Sequence, residues 1–286
     1  MKGANKVDCL VINLTTARDR MSFMSKQLET LGMSFSRLRA TTPSTLGEEG
    51  LTFNWDSWER PLRDTEKACF LSHFRAWQYA ASNNGYTLIL EDDALLSFYT
   101  PRVLAIIKAQ NDIEHVTLEV RNRKKIVGKR THAAGAGHRV IRLYQDRSGA
   151  AAYVLSASGA QKLLERAKMQ TALADAMLCK SYDLKSFQIE PACAVQLDCA
   201  SYYGITPTLE TASQIDGDKR CARSKSSSAF FARRIGAQFR MAFRAISCLS
   251  VAERRKVELR REDFATVLVN YPTNEFSYGD AGCASD

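Results

Sequence analysis

The feature that most limits how this chain can fold is an alternation of short β-rich runs with segments whose apolar residues recur at helical spacing. VDCLVINL, Val7 to Leu14, is followed by a segment in which Met21, Met24, Leu28 and Leu31 keep that spacing, with Thr16 placed to cap the helix and Gly32 to end it. A second helix is predicted from about Asp64 through EKACFLSHFRAWQYAAS to Gly85, and it leads into the strand YTLIL, Tyr86 to Leu90. Thr100 with Pro101 opens another helix, since proline suits the first helical turn. HVTLEV, HRVIRLY and AAYVLS read as further strands, and Ser158 opens the helix GAQKLLERAKM. Strands alternating with helices predict an α/β class in three layers, with a mostly parallel sheet flanked by helices. No internal repeat interrupts the pattern.

A length of 286 residues with 45% hydrophobic content supports one large domain or one domain plus an extension. The order of elements places the boundary at about 204/205, with a catalytic domain over 1–204 and an extension over 205–286. No run of about 18 apolar residues occurs. MKGANKVDCLVINL has neither the apolar segment nor the cleavage site of a secretory signal, so the expected residence is cytoplasmic. The eight cysteines form no CxxC pair, which argues for reduced packing residues over a zinc ribbon or a disulfide framework.

The net charge of +9 is concentrated in two segments. Val120 to Arg142 holds eight basic residues and no acidic one, and with Gly128, Gly135 and Gly137 it reads as a mobile loop, either meeting a phosphorylated acceptor or simply solvated. Lys219 to Arg261 holds thirteen basic residues against Glu253 and Glu258. That stretch contains SKSSS and then FFARRIGAQFRMAFRAISCL, in which Phe231, Ile235, Phe239, Ala242, Phe243 and Ile246 share one helical face opposite Arg233, Arg240 and Arg244. Such a basic amphipathic helix either docks on the main domain with its basic face solvated or lies on an anionic membrane surface. Phosphates, anionic membranes and nucleic acid are the partner classes that the charge admits.

LILEDDALL sets Glu91, Asp92 and Asp93 directly after a buried strand. In an α/β sheet the carboxyl ends of strands face the ligand crevice. Side chains alternate along extended chain, so Glu91 and Asp93 point one way and Asp92 the other. Carboxylates this close raise one another's pKa unless a cation neutralises them, and Mg²⁺ or Mn²⁺ prefers carboxylate and phosphate oxygens. A solvated acidic turn or a helix start is the competing structural reading.

Three blocks in order extend the argument. VINLTTARDRMSFMSKQLETLG, CFLSHFRAWQYAASNNGYTLILEDDALL and GAAAYVLSASGAQKLL resemble the opening strand and helix, the C-x-SH-x-x-W helix with its LEDD signature, and the later Gly-x-x-Ala-Tyr strand of glycosyltransferase family 25. The resemblance covers about Val7 to Gln196; Ala68 and the LAD at Leu173 to Asp175 depart from its pattern. It implies a GT-A-like nucleotide-sugar domain and inverting transfer of a hexose, galactose first, from a UDP-sugar to a saccharide or glycolipid acceptor of lipopolysaccharide type. On that basis Glu91 and Asp93 are the expected Mn²⁺ or Mg²⁺ ligands, with Asp92, Arg18 and Arg20 at the nucleotide diphosphate. His73 is a proton-transfer candidate or an orienting residue for the acidic loop, and Asp175 is the first candidate base, with Asp146 and Asp183 as alternatives. Lys219 to Arg261 is the candidate contact to a membrane's inner face, and nucleic acid is not the expected partner. The rival class is a non-catalytic basic protein binding nucleic acid or an anionic membrane.

Overall fold

The first β-rich run forms β1 (Asp8–Asn13), five of whose six residues are buried. A strand covered on both faces must read as a nearly continuous apolar run, as this one does. In a computed structural model, the chain is described over residues 7–50, 52–110, 112–147, 149–180, 182–207, 209 and 228–265. Lys219, Arg220, Cys221, Arg223, Lys225 and Cys283, with most of the serine cluster, lie outside these residues.

The helix after β1, α1 (Arg18–Thr30), starts with Ala17 at its cap, and Thr16 makes no side-chain cap. Asn13 serves this turn instead, donating from Nδ2 to the Ala17 carbonyl at 3.0 Å. Gly32 ends the helix as expected, at φ 65°, where the Met33 N–H reaches the Leu28 carbonyl at 2.8 Å. β2 (Ser36–Arg39) and the single turn α2 (Gly47–Gly50) lead to α3 (Asp64–Ser82), then β3 (Tyr86–Glu91), β4 (Ala94–Leu96) and α4 (Thr100–Lys108). There follow β5 (His115–Thr117), β6 (Lys125–Ala133), β7 (Arg139–Gln145) and β8 (Ala152–Ser156). α5 (Ala157–Met169) takes its cap from Ser156 rather than Ser158, through a bond from the Gly159 N–H. α6 (Ala174–Cys179), β9 (Ser186–Glu190), β10 (Ala194–Gln196), α7 (Leu197–Ala200), α8 (Ser228–Ser247) and β11 (Ala252–Arg255) complete the order.

Nine strands form one sheet in the order β11-β6-β7-β9-β5-β8-β3-β1-β2, and β10 pairs with β4 beside it. The expected mostly parallel sheet is in fact mixed. β1 runs parallel to β2 and β3, and β5 to β9, but β8 is antiparallel to both β3 and β5, and β6 is antiparallel to both β7 and β11. The physical reason is connection length: the short Gly-containing link between β6 and β7 can reverse a strand but cannot carry a crossover. Three layers do form. Cys9, Val11, Leu88, Leu90 and Val154 face α1 and α4, while their neighbours Leu10, Ile12, Ile89, Tyr153 and Leu155 face α3 and α5.

Two basic segments differ from expectation. Val120 to Arg142 is not a loop: it supplies β6 and the start of β7, joined through Gly135 and Gly137 at φ 69° and 75°. Lys125 sits there in the interior, its Nζ 2.6 Å from Asp146 Oδ2. Residues 252–264 of the expected extension join the main body, since β11 adds the ninth strand and Phe264 is fully buried in the core with α1 and α4. The amphipathic helix exists as α8, but it docks with Arg244, not with its phenylalanines, toward the sheet. Among the described residues no helix is long and apolar enough to cross a membrane, and the six described cysteines are free.

At the start of α3, Glu66 accepts the Arg63 N–H at 2.9 Å and ion-pairs with Arg60 at 2.8 Å and Arg63 at 3.1 Å. Burial alone would raise its pKa, but these partners outweigh it and pull the carboxyl from 4.5 down to about 2. A depressed acid adds stability above its unfolded pKa and loses it as pH falls through the folded value. Glu66→Gln is therefore expected to cost about 1–2 kcal/mol near pH 7, discounted because Arg60 is half exposed, with the gap closing between about pH 4.5 and 2. Parallel thermal melts across that range measure it; a pH-independent difference would refute the assignment.

Candidate functional site

A cleft of about 610 Å³ opens at the carboxyl ends of β1 and β3, a volume that suits a small-molecule ligand. Its walls include Thr41 and Thr42 after β2, Cys69, Ser72 and His73 of α3, the triplet Glu91–Asp93, Arg20, Arg121 and Arg123, Gly149, Asp175 and Gln196. β3 delivers the triplet here because its apolar run ends in the interior and the chain must turn.

β3 ends at Glu91, and Asp92 and Asp93 lie in the turn that follows. Asp92 turns toward β1 and α1, where its Oδ2 accepts from Asn13 Nδ2 at 2.7 Å and its Oδ1 from Arg20 at 3.0 Å. Glu91 and Asp93 turn the other way and share one donor: Gln196 Nε2 reaches Glu91 Oε2 at 3.1 Å and Asp93 Oδ1 at 3.2 Å. Arg20 also lies 3.5 Å from Asp93 Oδ2, so one guanidinium spans Asp92 and Asp93. Burial raises the Asp92 carboxyl against the pull of Asn13 and Arg20. Asp93 lies well above the usual carboxylate range, first through burial and then through the charge of Glu91.

His73 is nine-tenths and more buried and both ring nitrogens are engaged, at 2.9 Å to Tyr153 Oη and 3.0 Å to Glu91 Oε1. The proton directions can be worked out. Indole N–H only donates and a carboxylate only accepts. Trp77 Nε1 donates to Tyr153 Oη at 2.9 Å and His73 Nε2 carries the hydrogen facing Glu91; with a neutral ring, the Tyr153 hydroxyl then donates to Nδ1. A chain of hydrogen bonds from the core thus orients Glu91. Tyr153→Phe breaks it at the centre, leaving the buried Trp77 N–H and His73 Nδ1 without this partner. We expect a loss of about 1–3 kcal/mol, read from chemical unfolding; wild-type stability would refute the contribution of this chain of hydrogen bonds.

Behind this layer, Gly149 sits at φ 124°, and a Cβ there would lie 2.6 Å from Glu119 Oε1, so both the backbone angle and the close approach call for glycine. Glu119 accepts the Ala151 N–H at 2.9 Å, and the Ala151 carbonyl accepts the Glu91 N–H at 2.8 Å, so the backbone of the triplet is held from below. Burial and then Glu91 raise the Glu119 carboxyl to about 8.

Of the residues singled out from the sequence, Arg20, His73, Glu91, Asp92, Asp93 and Asp175 meet in this cleft. Arg18 does not: it is exposed on the first turn of α1 and lines none of it. Asp175, in the first turn of α6, has a raised pKa, first by burial and then, against an opposing bond from the Ala176 N–H, by Glu91. Asp146 is committed to Lys125, and Asp183 is exposed away from the cleft walls. Sequence reasoning gave no site role to Asn13, Gln196, Tyr153 or Cys69. Tyr153 lay within the Gly-x-x-Ala-Tyr motif, but nothing local tells that its hydroxyl meets His73. Arg121 and Arg123 were seen only as part of a charged run.

Glu91 and Asp93 are the pair able to hold a hard divalent cation. The fit rests on the donor set and the raised Asp93: two part-buried carboxylates with one shared amide and one arginine carry charge that a cation would neutralise. Cys69, His73 and Glu91 also converge, with ligand atoms within 4.8 Å of one another, but a thiol suits softer metals than Mg²⁺ or Mn²⁺, and both His73 ring nitrogens are already engaged.

Residues 7–178 match glycosyltransferase family 25 (LPS biosynthesis protein). A Haemophilus influenzae protein named "Putative glycosyltransferase" is 30% identical over 196 residues, 65% of this chain and 69% of that protein. The "Lipooligosaccharide biosynthesis protein lic2B" of Haemophilus influenzae is 27% identical over 202 residues, 65% of this chain and 74% of that one. Among solved structures, the inositol-1-phosphate CTP transferase from T. maritima aligns over 70% of this chain and 92% of its own, with a TM-score of 0.41 and 12% identity.

Proposed function

The chain belongs to glycosyltransferase family 25, a family of lipopolysaccharide biosynthesis, and from that premise we propose that it moves a hexose, galactose first, from a UDP-sugar to a saccharide or glycolipid acceptor with inversion. The observation that carries the proposal is the part-buried Glu91–Asp93 pair at the end of β3, lining a cleft whose walls also present Arg20, Arg121 and Arg123. Acids at the floor and guanidinia on the walls suit a diphosphate bridged to a cation. A basic binding protein without catalysis would leave this carboxylate pair without a task.

In this reading Glu91 and Asp93 hold Mn²⁺ or Mg²⁺, which when bound neutralises charge on the leaving diphosphate. Arg20, tied to Asp92, presents its guanidinium to the phosphates at a fixed place, and Arg121, paired with Asp198 at 2.9 Å, does so from the opposite segment. Asp92 and Asn13 keep Arg20 from swinging out. His73 acts as a positioning residue, its Nε2–H holding Glu91 in one rotamer, instead of transferring a proton itself. Asp175 takes the acceptor hydroxyl's proton. Its raised pKa supports this role, because a base with a greater proton affinity than a free carboxylate is better matched to a hydroxyl near neutral pH. Inversion requires the acceptor to approach the face of the sugar opposite the diphosphate. The GT-A-like character of the domain and a cytoplasmic site at the inner membrane face belong to the same proposal.

Thermal melting with a panel of nucleotide sugars, each with and without Mn²⁺, tests it. Stabilisation that requires both a UDP-sugar and Mn²⁺ is the expected result. Equal shifts with and without metal would remove the cation from the reading, and no shift with any nucleotide sugar would remove the donor class.

A further inference from the structure

α8 is held to the body of the protein by its less apolar side. Ala237 and Cys248 are buried, Arg244 Nε donates to the Tyr144 carbonyl at 3.3 Å, and the Arg244 guanidinium lies 5.2 Å from the centre of the Tyr182 ring. This leaves the phenylalanine face pointing away from the sheet. Phe231, Phe239, Phe243 and Ile246 are 62%, 72%, 74% and 66% exposed, and Leu249 continues the stripe at 67%. Among the described residues nothing covers it. A soluble surface rarely leaves so many large apolar side chains in one row, because each forgoes the gain of leaving water.

The charges around the stripe indicate what covers it. At about 100° per residue, Arg234 and Arg240 fall on its two edges, each about 60° beyond the last phenylalanine. The groove along the Arg234 side of the helix is lined in addition by Lys124, Arg147 and Arg254. From Ser228 to Ala252 there is no Asp or Glu. An apolar row bracketed by cations, with no acid within it, is complementary to acyl chains beneath anionic headgroups: phenylalanines enter the hydrocarbon boundary, and arginines reach back to phosphates. A second copy of the chain is a poor fit, since pairing the two stripes would bring like arginine edges together without a carboxylate to relieve them.

We infer that the Phe231–Ile246 face of α8 seats this protein in the plane of an anionic lipid bilayer, with the globular body held above it through the opposite face of the helix. The inference does not depend on the catalytic reading, because lipid binding needs neither donor nor acceptor.

Flotation of the full chain with vesicles of phosphatidylcholine alone, and with a three-to-one mixture of phosphatidylcholine and phosphatidylglycerol, tests it. Wild type is expected to float with the mixed vesicles and to bind phosphatidylcholine alone far more weakly. Phe239→Glu with Phe243→Glu should lower the bound fraction about tenfold or more at unchanged melting temperature, since both side chains are exposed. Arg234→Glu with Arg240→Glu should remove the preference for phosphatidylglycerol. Failure of wild type to float with either vesicle, or flotation of the phenylalanine variant as wild type, would overturn the inference. So would a lipid-free dimer in sedimentation that the phenylalanine variant abolishes, which would assign the stripe to a second copy.

Discussion

Asp93→Ala is expected to reduce sugar transfer by about a hundredfold to a thousandfold while the protein stays folded. Asp93 shares the Gln196 amide with Glu91, faces Arg20 at 3.5 Å, and stands at the floor of the cleft. In the proposed reaction it acts on charge that grows as the diphosphate leaves, and interactions that strengthen only at that stage raise the rate instead of the affinity alone. The fold should not suffer. Burial and Glu91 already disfavour the ionised Asp93, so removing it relieves a like-charge contact. Initial rates of UDP release with saturating donor, measured across a Mn²⁺ titration beside a thermal melt, test both halves. Wild-type rates in the variant would end the metal role of Asp93. A collapsed melting temperature would instead make it a structural residue.

The second large effect is on stability. Lys125→Ala is expected to cost about 3–5 kcal/mol, and to lower the melting temperature by about 10 °C. Lys125 and Asp146 are both almost wholly buried and 2.6 Å apart. The ammonium also donates to Gln188 Oε1 at 2.7 Å and to the Glu119 carbonyl at 3.1 Å, which satisfies all three of its hydrogens. Truncation leaves a carboxylate in the interior without its counter-charge, and that penalty exceeds the value of the pair itself. Replacing both partners at once, Lys125→Met with Asp146→Leu, should recover most of the loss, because two apolar groups need no compensation. Urea unfolding of the three variants measures the coupling. A single variant as stable as wild type would show that the two charges are not in fact desolvated together.

These two residues illustrate how unevenly the site and the fold could be read in advance. Asp93 was legible because a strand and the turn after it are adjacent in the chain; that turn then gives Asp92 to Asn13 and Arg20 while Glu91 and Asp93 share the Gln196 amide. The motif blocks placed His73 near the same crevice. Its partner Tyr153 lies 80 residues away, and no local pattern specifies that its hydroxyl meets His73. Lys125 was misread for a related reason. A run of eight basic residues with three glycines looks like a solvated loop, and only the pairing of β6 with β7 and β11 turns one of those lysines inward.

The sequence by itself determined the layers: runs such as DCLVIN and YTLILE can be buried only within a sheet, and the segments between them carry helical faces to cover it. It also determined that an acidic triplet would end a buried strand, and that one long helix near the end would have an apolar and a basic face. Tertiary structure alone decided strand direction, with β8 inserted antiparallel between β3 and β5, and it decided the partner of each buried charge. It also turned the phenylalanines of α8 outward. The physical reason is the same throughout. Periodicity is a property of neighbours a few residues apart, so it defines faces. Which face meets which surface depends on contacts closed over long loops, and there the cost of partly burying Arg244 is offset by Tyr144 and Tyr182, groups that no local spacing connects to it.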